Sequence, residues 1–325
     1  MRIYHTWAVL VATLTWATCP VVYAASDFPN HPVTIVVPYA PGGPTDAAGR
    51  ILAQGLQEET GGNFIVENAP GAGATLGASK VARAKPDGYT ILWGGKSTHA
   101  IAPHLHSNLQ YDPVNSFDPV ALVGSQPYIV VVKADAPFKT ISDLVDKGKA
   151  EPGELNYSSP GMGSAPHLAT ELFLIETGVS ARHIPYKGGA PAMMAVLSGE
   201  VDFYLDTPTL PKVQAEGGKA RLLATSNAER LVDMPDVPTL KESGYPELEM
   251  KTWFGLFVPA HTPKDVVTWL NEKVNIVLEK PNIAKQLVAA GFEVEPTSPK
   301  KFADFIRDEN ERWGKIIQKA KISIN

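Results

Sequence analysis

The residues whose types and spacing are best suited to chemistry lie near the start of the chain, at positions 36–50. The apolar run Val33–Val37 stops at Pro38, residues 41–44 read Pro-Gly-Gly-Pro, and a helical pattern begins near Thr45. A strand, a tight loop and a helix start together direct unpaired N–H groups at one point, which is how backbone binds an anion. The pattern predicts a small, negatively charged ligand that is held rather than transformed.

Two further segments, 157–167 and 184–191, repeat this arrangement of strand, small-residue loop and helix start. Pro166 and Pro191 suit the first helical turn, where a missing N–H does no harm. Each segment alone is equally well interpreted as an ordinary connection between a strand and a helix. Three of them favour a shared carboxylate site, because a carboxylate removed from water needs several convergent donors.

Two acidic residues flank these loops and each has two interpretations. Asp46 would repel a carboxylate ligand, whereas in the first turn of a helix it would stabilise the helix and hold the loop through backbone N–H groups. We favour the second role for Asp46. Asp206 ends a predicted strand, where it could accept a hydrogen bond from a ligand amino or hydroxyl group or simply occupy a turn.

Two glycine patterns are close to nucleotide motifs but fail on spacing. The glycines at 71, 73 and 77 place the third glycine one residue late for a dinucleotide fingerprint. Gly95-Lys-Ser97 resembles the end of a P-loop, but the first glycine would fall at Thr90. We therefore interpret residues 95–97 as a loop after a strand, a place where small ligands often bind, and expect no nucleotide cofactor.

Nucleophile and metal signals are weak. Neither Ser159 nor Ser164 fits the Gly-x-Ser-x-Gly nucleophile turn, although Ser164 and His167 lie one helical turn apart. Three histidines are close in sequence at 99, 104 and 106, but no carboxylate cluster accompanies them, and we interpret them as a loop surface rather than as a metal site. The sequence predicts neither catalytic residues nor a metal or other cofactor.

Apolar runs alternate with helical patterns along most of the chain, which predicts an α/β protein with largely parallel sheets. Glycines at 178, 199 and 291 are expected to end helices. Strands are predicted at Val33–Val37, Asn63–Glu67, Thr90–Trp93, Tyr128–Val132, Leu155–Tyr157, Val201–Leu205, Leu222–Thr225 and Phe254–Val258. Helices are predicted at Asp46–Glu59, Ser164–Glu176, Ala190–Ser198, Lys264–Leu278, Ile283–Ala290 and Pro299–Lys319.

The first 24 residues read as a cleaved secretory signal peptide. A basic start precedes the apolar run Trp7–Ala17, and Val22-Tyr-Ala24 offers small residues for a signal peptidase. Cleavage near Ala24 would remove Cys19, the only cysteine, and would release the chain into the periplasm. A retained anchor or a lipoprotein using Cys19 remains an alternative. The net charge of −5 argues against nucleic acid as the main partner.

Two proline-rich stretches, 113–152 and 227–251, are the best places for the chain to cross between domains. Neither is a long flexible linker, so two closely apposed lobes joined by strands are expected. The length of 325 residues agrees with about two domains.

Several motifs, taken in order, resemble the Bug (TctC-like) extracytoplasmic solute receptors of tripartite tricarboxylate transport systems. The resemblance runs over nearly the whole chain after the signal peptide. It departs from the family at Ala102, where Asn is frequent, so ligand specificity is not carried over. The motifs are Tyr39-Ala-Pro-Gly-Gly-Pro-Thr-Asp46, Val66-Glu-Asn-Ala-Pro-Gly-Ala-Gly73, Pro86-Asp-Gly-Tyr-Thr90, Tyr111-Asp-Pro113, Phe117-Asp-Pro119, Tyr157-Ser-Ser-Pro-Gly161, His183-Ile-Pro-Tyr-Lys-Gly188 and Trp253-Phe-Gly-Leu256.

The resemblance implies a two-lobed periplasmic-binding-protein fold of type II, each lobe a mostly parallel sheet flanked by helices. Residues 26–126 plus 252–325 would form the first lobe and residues 127–251 the second. By position Thr45, Ser158 and Ser164 would be hydrogen-bond donors to the ligand. The full set of ligand-binding residues expected from the loops and the resemblance is Tyr39, Pro41, Gly42, Gly43, Thr45, Asp46, Ser97, Ser158, Gly161, Gly163, Ser164, His167, Tyr186 and Asp206.

The function implied is capture of a small organic acid between the lobes, without chemistry, and delivery to membrane permease subunits. Family ligands are mostly di- and tricarboxylates, amino acids and aromatic acids, and we expect the receptor to act as a monomer. Two alternatives remain: a signalling subunit whose closed form binds a membrane sensor, and a secreted hydrolase using Ser164 with His167.

Overall fold

The computed structural model describes residues 28–320 as two mixed sheets with helices packed on both. The first sheet has the strand order β11-β4-β10-β3-β1-β2. Its buried core lies against helices from both ends of the chain, including the first and last long helices. The six strands are β1 (Val33–Val37), β2 (Phe64–Asn68), β3 (Thr90–Gly95), β4 (Phe117–Pro127), β10 (Lys251–Pro259) and β11 (Glu293–Val294).

The second sheet has the order β7-β6-β8-β5-β9 and its own apolar core on each face. All of its strands come from the middle of the chain, so one lobe is inserted into the other. The five strands are β5 (Ile129–Lys133), β6 (Leu155–Ser159), β7 (Ala181–Pro185), β8 (Phe203–Asp206) and β9 (Ala220–Thr225).

Ten α-helices flank the two sheets in the described part of the chain. Several begin directly after a strand, as the alternating pattern predicts. They are α1 (Pro44–Thr60), α2 (Thr75–Ala82), α3 (Ala102–Leu105), α4 (Ile141–Ala150), α5 (Ala165–Thr177), α6 (Gly189–Ser198), α7 (Thr209–Glu216), α8 (Lys264–Glu279), α9 (Pro281–Ala289) and α10 (Pro299–Ala320).

The α/β class and the two-lobed arrangement are confirmed, but the expectation of mostly parallel sheets is wrong. In the first sheet only the pairings of β1 with β2 and β3 are parallel, and in the second only those of β6 with β7 and β8. Strands β10 and β5 pair antiparallel with both of their neighbours. The antiparallel strands include those that carry the chain from one sheet to the other.

The predicted strands and helices are confirmed with shifts of at most three residues at their ends. Ser164 caps α5, and glycines 178 and 199 end α5 and α6 in the left-handed conformation. Ala290 caps α9 and Gly291, with a φ of 82°, follows it. The sequence analysis missed β4, β7, β11, α2, α3, α4 and α7. Proline and polar residues interrupt β4, and α7 is only eight residues long, so their periodic patterns are weak.

The chain passes between the sheets twice. Strand β4 ends at Pro127 and β5 begins at Ile129, and the return runs from Thr225 at the end of β9 to Lys251 at the start of β10. The lobe boundaries given above, at 126/127 and 251/252, stay a prediction.

Among residues 28–320, no helix is both long enough and apolar enough to cross a membrane. The predicted signal peptide, residues 1–24, lies outside the described residues.

Candidate functional site

The turn between β1 and α1 forms one wall of the cleft between the lobes. Gly43 precedes the helix in an extended conformation and Pro44 is its first residue. Because Pro44 has no N–H, Thr45 and Asp46 carry the first N–H groups of α1, and neither forms a backbone bond within residues 28–320. This helix start therefore offers free donors and a positive dipole end to the cleft.

Asp46 holds this wall in shape. Its side chain is 4% exposed and accepts hydrogen bonds from the Gly42 N–H at 3.0 Å and from Asn68 at 2.9 Å. Arg50 completes the cluster with an ion pair at 2.9 Å. Burial alone would raise the pKa of Asp46, but these bonds outweigh it and lower the pKa. Because the Gly42 N–H is bonded to Asp46, the backbone donors left to a ligand at this turn are those of Gly43, Thr45 and Asp46.

Ser97 connects the two lobes. Its Oγ accepts a hydrogen bond from the Tyr39 hydroxyl at 2.9 Å and another from the backbone N–H of Ala165 at 2.9 Å. Both bonds use Ser97 as the acceptor, so its own hydroxyl hydrogen is left to be donated. The expected loop after β3 is instead a π-helical turn, Ser97–Ile101, which fixes the direction of this hydroxyl.

Apart from the Ala165 N–H, which is bonded to Ser97, the start of α5 is bonded by its own side chains. Ser164 Oγ accepts from the His167 N–H at 3.4 Å, and His167 Nδ1 accepts from the Gly163 N–H at 3.1 Å. Ser158 is also fully buried and donates its hydroxyl to the Ala192 carbonyl at 3.0 Å. These four residues shape the loop on the second lobe's side of the cleft.

The start of α6 faces the start of α1 across the cleft. A Cβ placed on Gly43 would lie 3.8 Å from the backbone nitrogens of Gly189 and Ala190. Those two N–H groups have no backbone partner within residues 28–320. Two helix N-termini from different lobes thus converge on one point, with no intervening cationic side chain.

Asp206 lies at the end of β8 on the opposite side of the same space. It is 3% exposed, and its Oδ1 accepts the Thr207 N–H at 2.8 Å. Its Oδ2 is buried without a hydrogen-bond partner among the described residues. Burial in this poorly solvated position raises the pKa of Asp206 to about 7.

These groups surround a small interlobe cavity with a volume of about 30 Å³. That volume accommodates about one water molecule, so a dicarboxylate requires the lobes to separate. The structure is therefore a closed conformation. The lining residues are Tyr39, Gly43, Pro44, Thr45, Ser97, Pro160, Ala165, Pro166, Gly189, Asp206, Thr207, Thr252 and Phe254.

Five of the expected ligand residues line this cavity, namely Tyr39, Gly43, Thr45, Ser97 and Asp206. The others surround it without lining it in this conformation: Pro41 is exposed, and the Tyr186 hydroxyl points to Glu200 at 2.7 Å. Residues outside the lining set are Pro41, Gly42, Asp46, Ser158, Gly161, Gly163, Ser164, His167 and Tyr186.

Sequence reasoning did not select several lining residues. Ala165 and Gly189 lie within two loops that it singled out, but it chose side chains where the structure uses backbone N–H groups. Thr252 and Phe254 lie in and beside the Trp253-Phe-Gly-Leu256 motif, on the strand that returns to the first lobe. Their alternate positions on β10 could have indicated that both face the cleft.

The arrangement gives Ser164 no general base. Its Oγ is occupied as a helix cap, and the ring of His167 bonds to the Gly163 N–H instead. A different pair, Ser159 Oγ and His183 Nε2, lies at 2.6 Å but is outside the cavity lining. Burial lowers the pKa of His183 to about 4, and the structure pairs its ring with no carboxylate within the described residues.

The interpretation of the three histidines as a loop surface is wrong for His99. Its ring is fully buried and stacked on Phe257 with centroids 3.8 Å apart, because the π-helical turn directs it into the core. His104 is exposed and His106 is half-buried. Among residues 28–320, no group of three His, Cys, Asp or Glu side chains could hold a metal ion.

A larger cavity, about 460 Å³, lies elsewhere, between α10, the end of α5 and the start of β10. It contains none of the expected ligand residues. Its cations Lys96, Lys251 and Arg312 are each already paired with a glutamate, Lys96 with Glu309 at 3.3 Å, and its walls carry further glutamates. The smaller cavity fits an anionic ligand better because free N–H donors converge there.

The chain is similar to one protein family and to solved members of it. Residues 48–322 match the family described as tripartite tricarboxylate transporter family receptor, TctC. The solved periplasmic binding protein BugD is 35% identical, with a TM-score of 0.88, over 91% of this chain and all of that one.

Two further solved structures contain small carboxylates. A protein from R. palustris with adipate is 34% identical, with a TM-score of 0.89, and covers 92% of this chain and 100% of its own. MatC from Rhodopseudomonas palustris with bound malate is 32% identical, with a TM-score of 0.85, over 89% of this chain and 100% of its own.

Proposed function

We propose, from the premise that this chain belongs to the tripartite tricarboxylate transporter receptor family, that its interlobe cleft captures a small organic acid by the carboxylate. The protein is a solute-binding receptor, and members of its family are periplasmic binding proteins. Adipate and malate occur in two of its solved relatives, which supports a dicarboxylate as the ligand class.

One observation carries the proposal. The starts of α1 and α6, which belong to different lobes, converge with four N–H groups that no backbone carbonyl of residues 28–320 accepts. A carboxylate placed between them would satisfy these donors and both helix dipoles, which no single lobe does alone. Such a ligand favours an arrangement slightly more open than this structure, in which the lobes have separated enough to admit it and both sets of donors still reach it.

Ser97 and Thr45 add hydroxyl donors to this backbone site. We assign direct contact with the ligand to Tyr39, Gly43, Thr45, Ser97 and Asp206, and a supporting role to Asp46. The second lobe's side of the ligand site is shaped by Ser158, Ser164, Gly161, Gly163 and His167. The edge of the site is formed by Pro41, Gly42 and Tyr186.

The proposal extends to the route of the ligand. Residues 1–24 direct export and are removed near Ala24, the closed receptor acts as a monomer, and membrane permease subunits receive the ligand. Residues 26–126 plus 252–325 and residues 127–251 move as the two lobes. Binding without chemistry fits a site whose serine at the α5 start is already used as a cap.

Titration calorimetry with adipate, malate, succinate, citrate and benzoate tests the proposal. At least one carboxylate should bind, and Ser97→Ala should weaken that binding roughly tenfold because a donor to the ligand is lost. Ser198→Ala serves as the control, since Ser198 bonds only to the Ala195 carbonyl at 3.0 Å on the far end of α6. Failure of every acid to bind, or equal affinities for Ser97→Ala and the parent, would count against the assignment.

A further inference from the structure

Asp206 has an unsatisfied carboxyl oxygen in the cleft. Its Oδ2 and the hydroxyl of Tyr204 are both buried and close enough to interact, but neither forms a hydrogen bond of good geometry with a described residue. Both atoms face the same space, since a Cβ on Gly189 would lie 3.4 Å from Asp206 Oδ2 and 3.5 Å from Tyr204 Oη. A buried polar atom left unpaired is costly, so an unpaired one beside a ligand cavity indicates a partner supplied by the ligand.

The charged surroundings of Asp206 are unusual for a site that takes an anion. Asp206 is the only acid among the lining residues, and that lining contains no lysine, arginine or histidine. Tyr204 precedes it on β8, Tyr128 precedes β5, and Tyr39 lies beside α1. Burial raises the pKa of each of these phenols, so all three stay neutral near pH 7. The turn after β3 contributes Ser97 to the lining, α6 contributes Gly189, and β10 contributes Thr252 and Phe254, none of which is charged.

An ionised Asp206 would therefore repel a ligand carboxylate with no cation to screen it. The burial that raises its pKa to about 7 makes the protonated form accessible under ordinary conditions. Ligand carboxylates ionise near pH 4, so at neutral pH the proton belongs on Asp206 and the charge on the ligand. A second negative charge brought close would raise the pKa of Asp206 further.

We propose that Asp206 binds the organic acid in its protonated form, donating its carboxyl hydrogen to a ligand oxygen, so that capture takes up one proton. The inference rests on the proposed carboxylate function. The proton comes from solvent and remains on Asp206 until the ligand leaves. Asp206 thereby selects carboxylates over ligands that would place an ammonium group at this point.

Affinity should consequently fall as the pH rises above the pKa of Asp206, by about tenfold per pH unit. The probe is whichever of adipate and malate binds more tightly at pH 6. Calorimetry at pH 8 in two buffers of different ionisation enthalpy measures proton uptake directly and should give close to one proton per ligand. This measurement uses the unmodified chain and does not depend on a variant folding.

Asp206→Asn keeps the size of the side chain and a hydrogen-bond donor but cannot titrate. Its affinity should vary little between pH 6 and pH 8.5, with no proton uptake. Asp202→Asn is the control and should retain the pH dependence of the parent. Asp202 lies at the other end of β8, where its carboxylate accepts a hydrogen bond from the Asn156 N–H at 2.7 Å.

Three outcomes would overturn the inference. The first is binding of the probe without proton uptake. The second is an affinity that rises with pH together with selective binding of amino acids, and the third is an unchanged pH dependence of affinity in Asp206→Asn. Each would leave carboxylate capture intact. Failure of all five acids of the panel to bind even at pH 6 would remove the proposed function together with this inference.

Discussion

At the residue scale, Asp46 shows how an acid can serve an anion site. It lies beside the free N–H groups of α1, but its carboxylate points away from the ligand site toward Gly42, Arg50 and Asn68. Four donor groups of these three residues bind the carboxylate and balance its charge. The charge that would repel a ligand is used to fix the loop that binds it. This supports the bracing role expected from the sequence.

Replacing Asp46 with Asn should weaken both folding and ligand affinity. The loss of charge-assisted bonds to Arg50 and Gly42 should lower the free energy of unfolding by about 1–2 kcal/mol, since Arg50 is largely exposed. The loosened turn should also weaken carboxylate binding. Urea unfolding and calorimetry measure the two effects.

Asp143→Asn is the matched control for this change. Asp143 also accepts from backbone N–H groups, those of Lys139 and Thr140, at the start of α4. Asp143→Asn should also reduce stability, but by less because Asp143 is exposed, and it should leave affinity unchanged. A loss of affinity in both variants would show that general destabilisation, and not the cleft wall, is responsible.

At the element scale, closure depends on loops that approach within backbone contact. The turn before α2 meets the turn before α5, and a Cβ on Gly73 would lie only 2.3 Å from the Met162 carbonyl oxygen. Gly73 belongs to a segment that resembles a dinucleotide motif in its glycines. The structure gives those glycines a different use, which is to let the two lobes touch.

Gly73→Ala should hold the lobes apart. The added methyl group collides with the backbone at Met162, so ligand affinity should drop by at least tenfold, and small-angle scattering should show no ligand-induced compaction. Gly61→Ala is the control, because Gly61 has a similar φ, 71° against 61°, but nothing within 4 Å of the added atom. Normal closure in Gly73→Ala would show that this contact does not limit the closed state.

At the scale of the whole molecule, two buried histidines and the half-buried His183 link stability to pH. Burial lowers the pKa of His99 and of His167 to about 3 and that of His183 to about 4. In the unfolded chain the same side chains titrate near pH 6.5. The unfolded state therefore binds more protons below pH 6.5, and folding stability is lost as the pH falls from there toward 4.

Stability to urea should accordingly decrease between pH 6.5 and pH 5, by up to about 1.4 kcal/mol per pH unit for each histidine. Asp206 opposes this partly, because its raised pKa makes the folded state hold one extra proton in the same range. His99→Phe keeps a ring stacked on Phe257. The slope of its unfolding free energy against pH, on the acid side, should be smaller by the contribution of one proton. Equal slopes for His99→Phe and the parent would refute the assignment.

The sequence by itself determined the local units. The β1 strand, the proline-limited turn and α1 were predicted within two residues, because strand periodicity, Pro38 and the helix-start residues are all encoded within a short stretch. The order of motifs along the chain was enough to indicate the family. Each of these signals is local, or is an ordered series of local signals.

The tertiary structure alone decided which of those units meet. Ser97 and Ala165 are 68 residues apart and bond across the cleft, and Asp206 reaches Gly189 only because β8 lies at the centre of the second sheet. The burial of His99 and the antiparallel pairing of β10 likewise follow from how the chain passes between sheets. Such contacts depend on the arrangement of distant strands, which no local pattern of residues specifies.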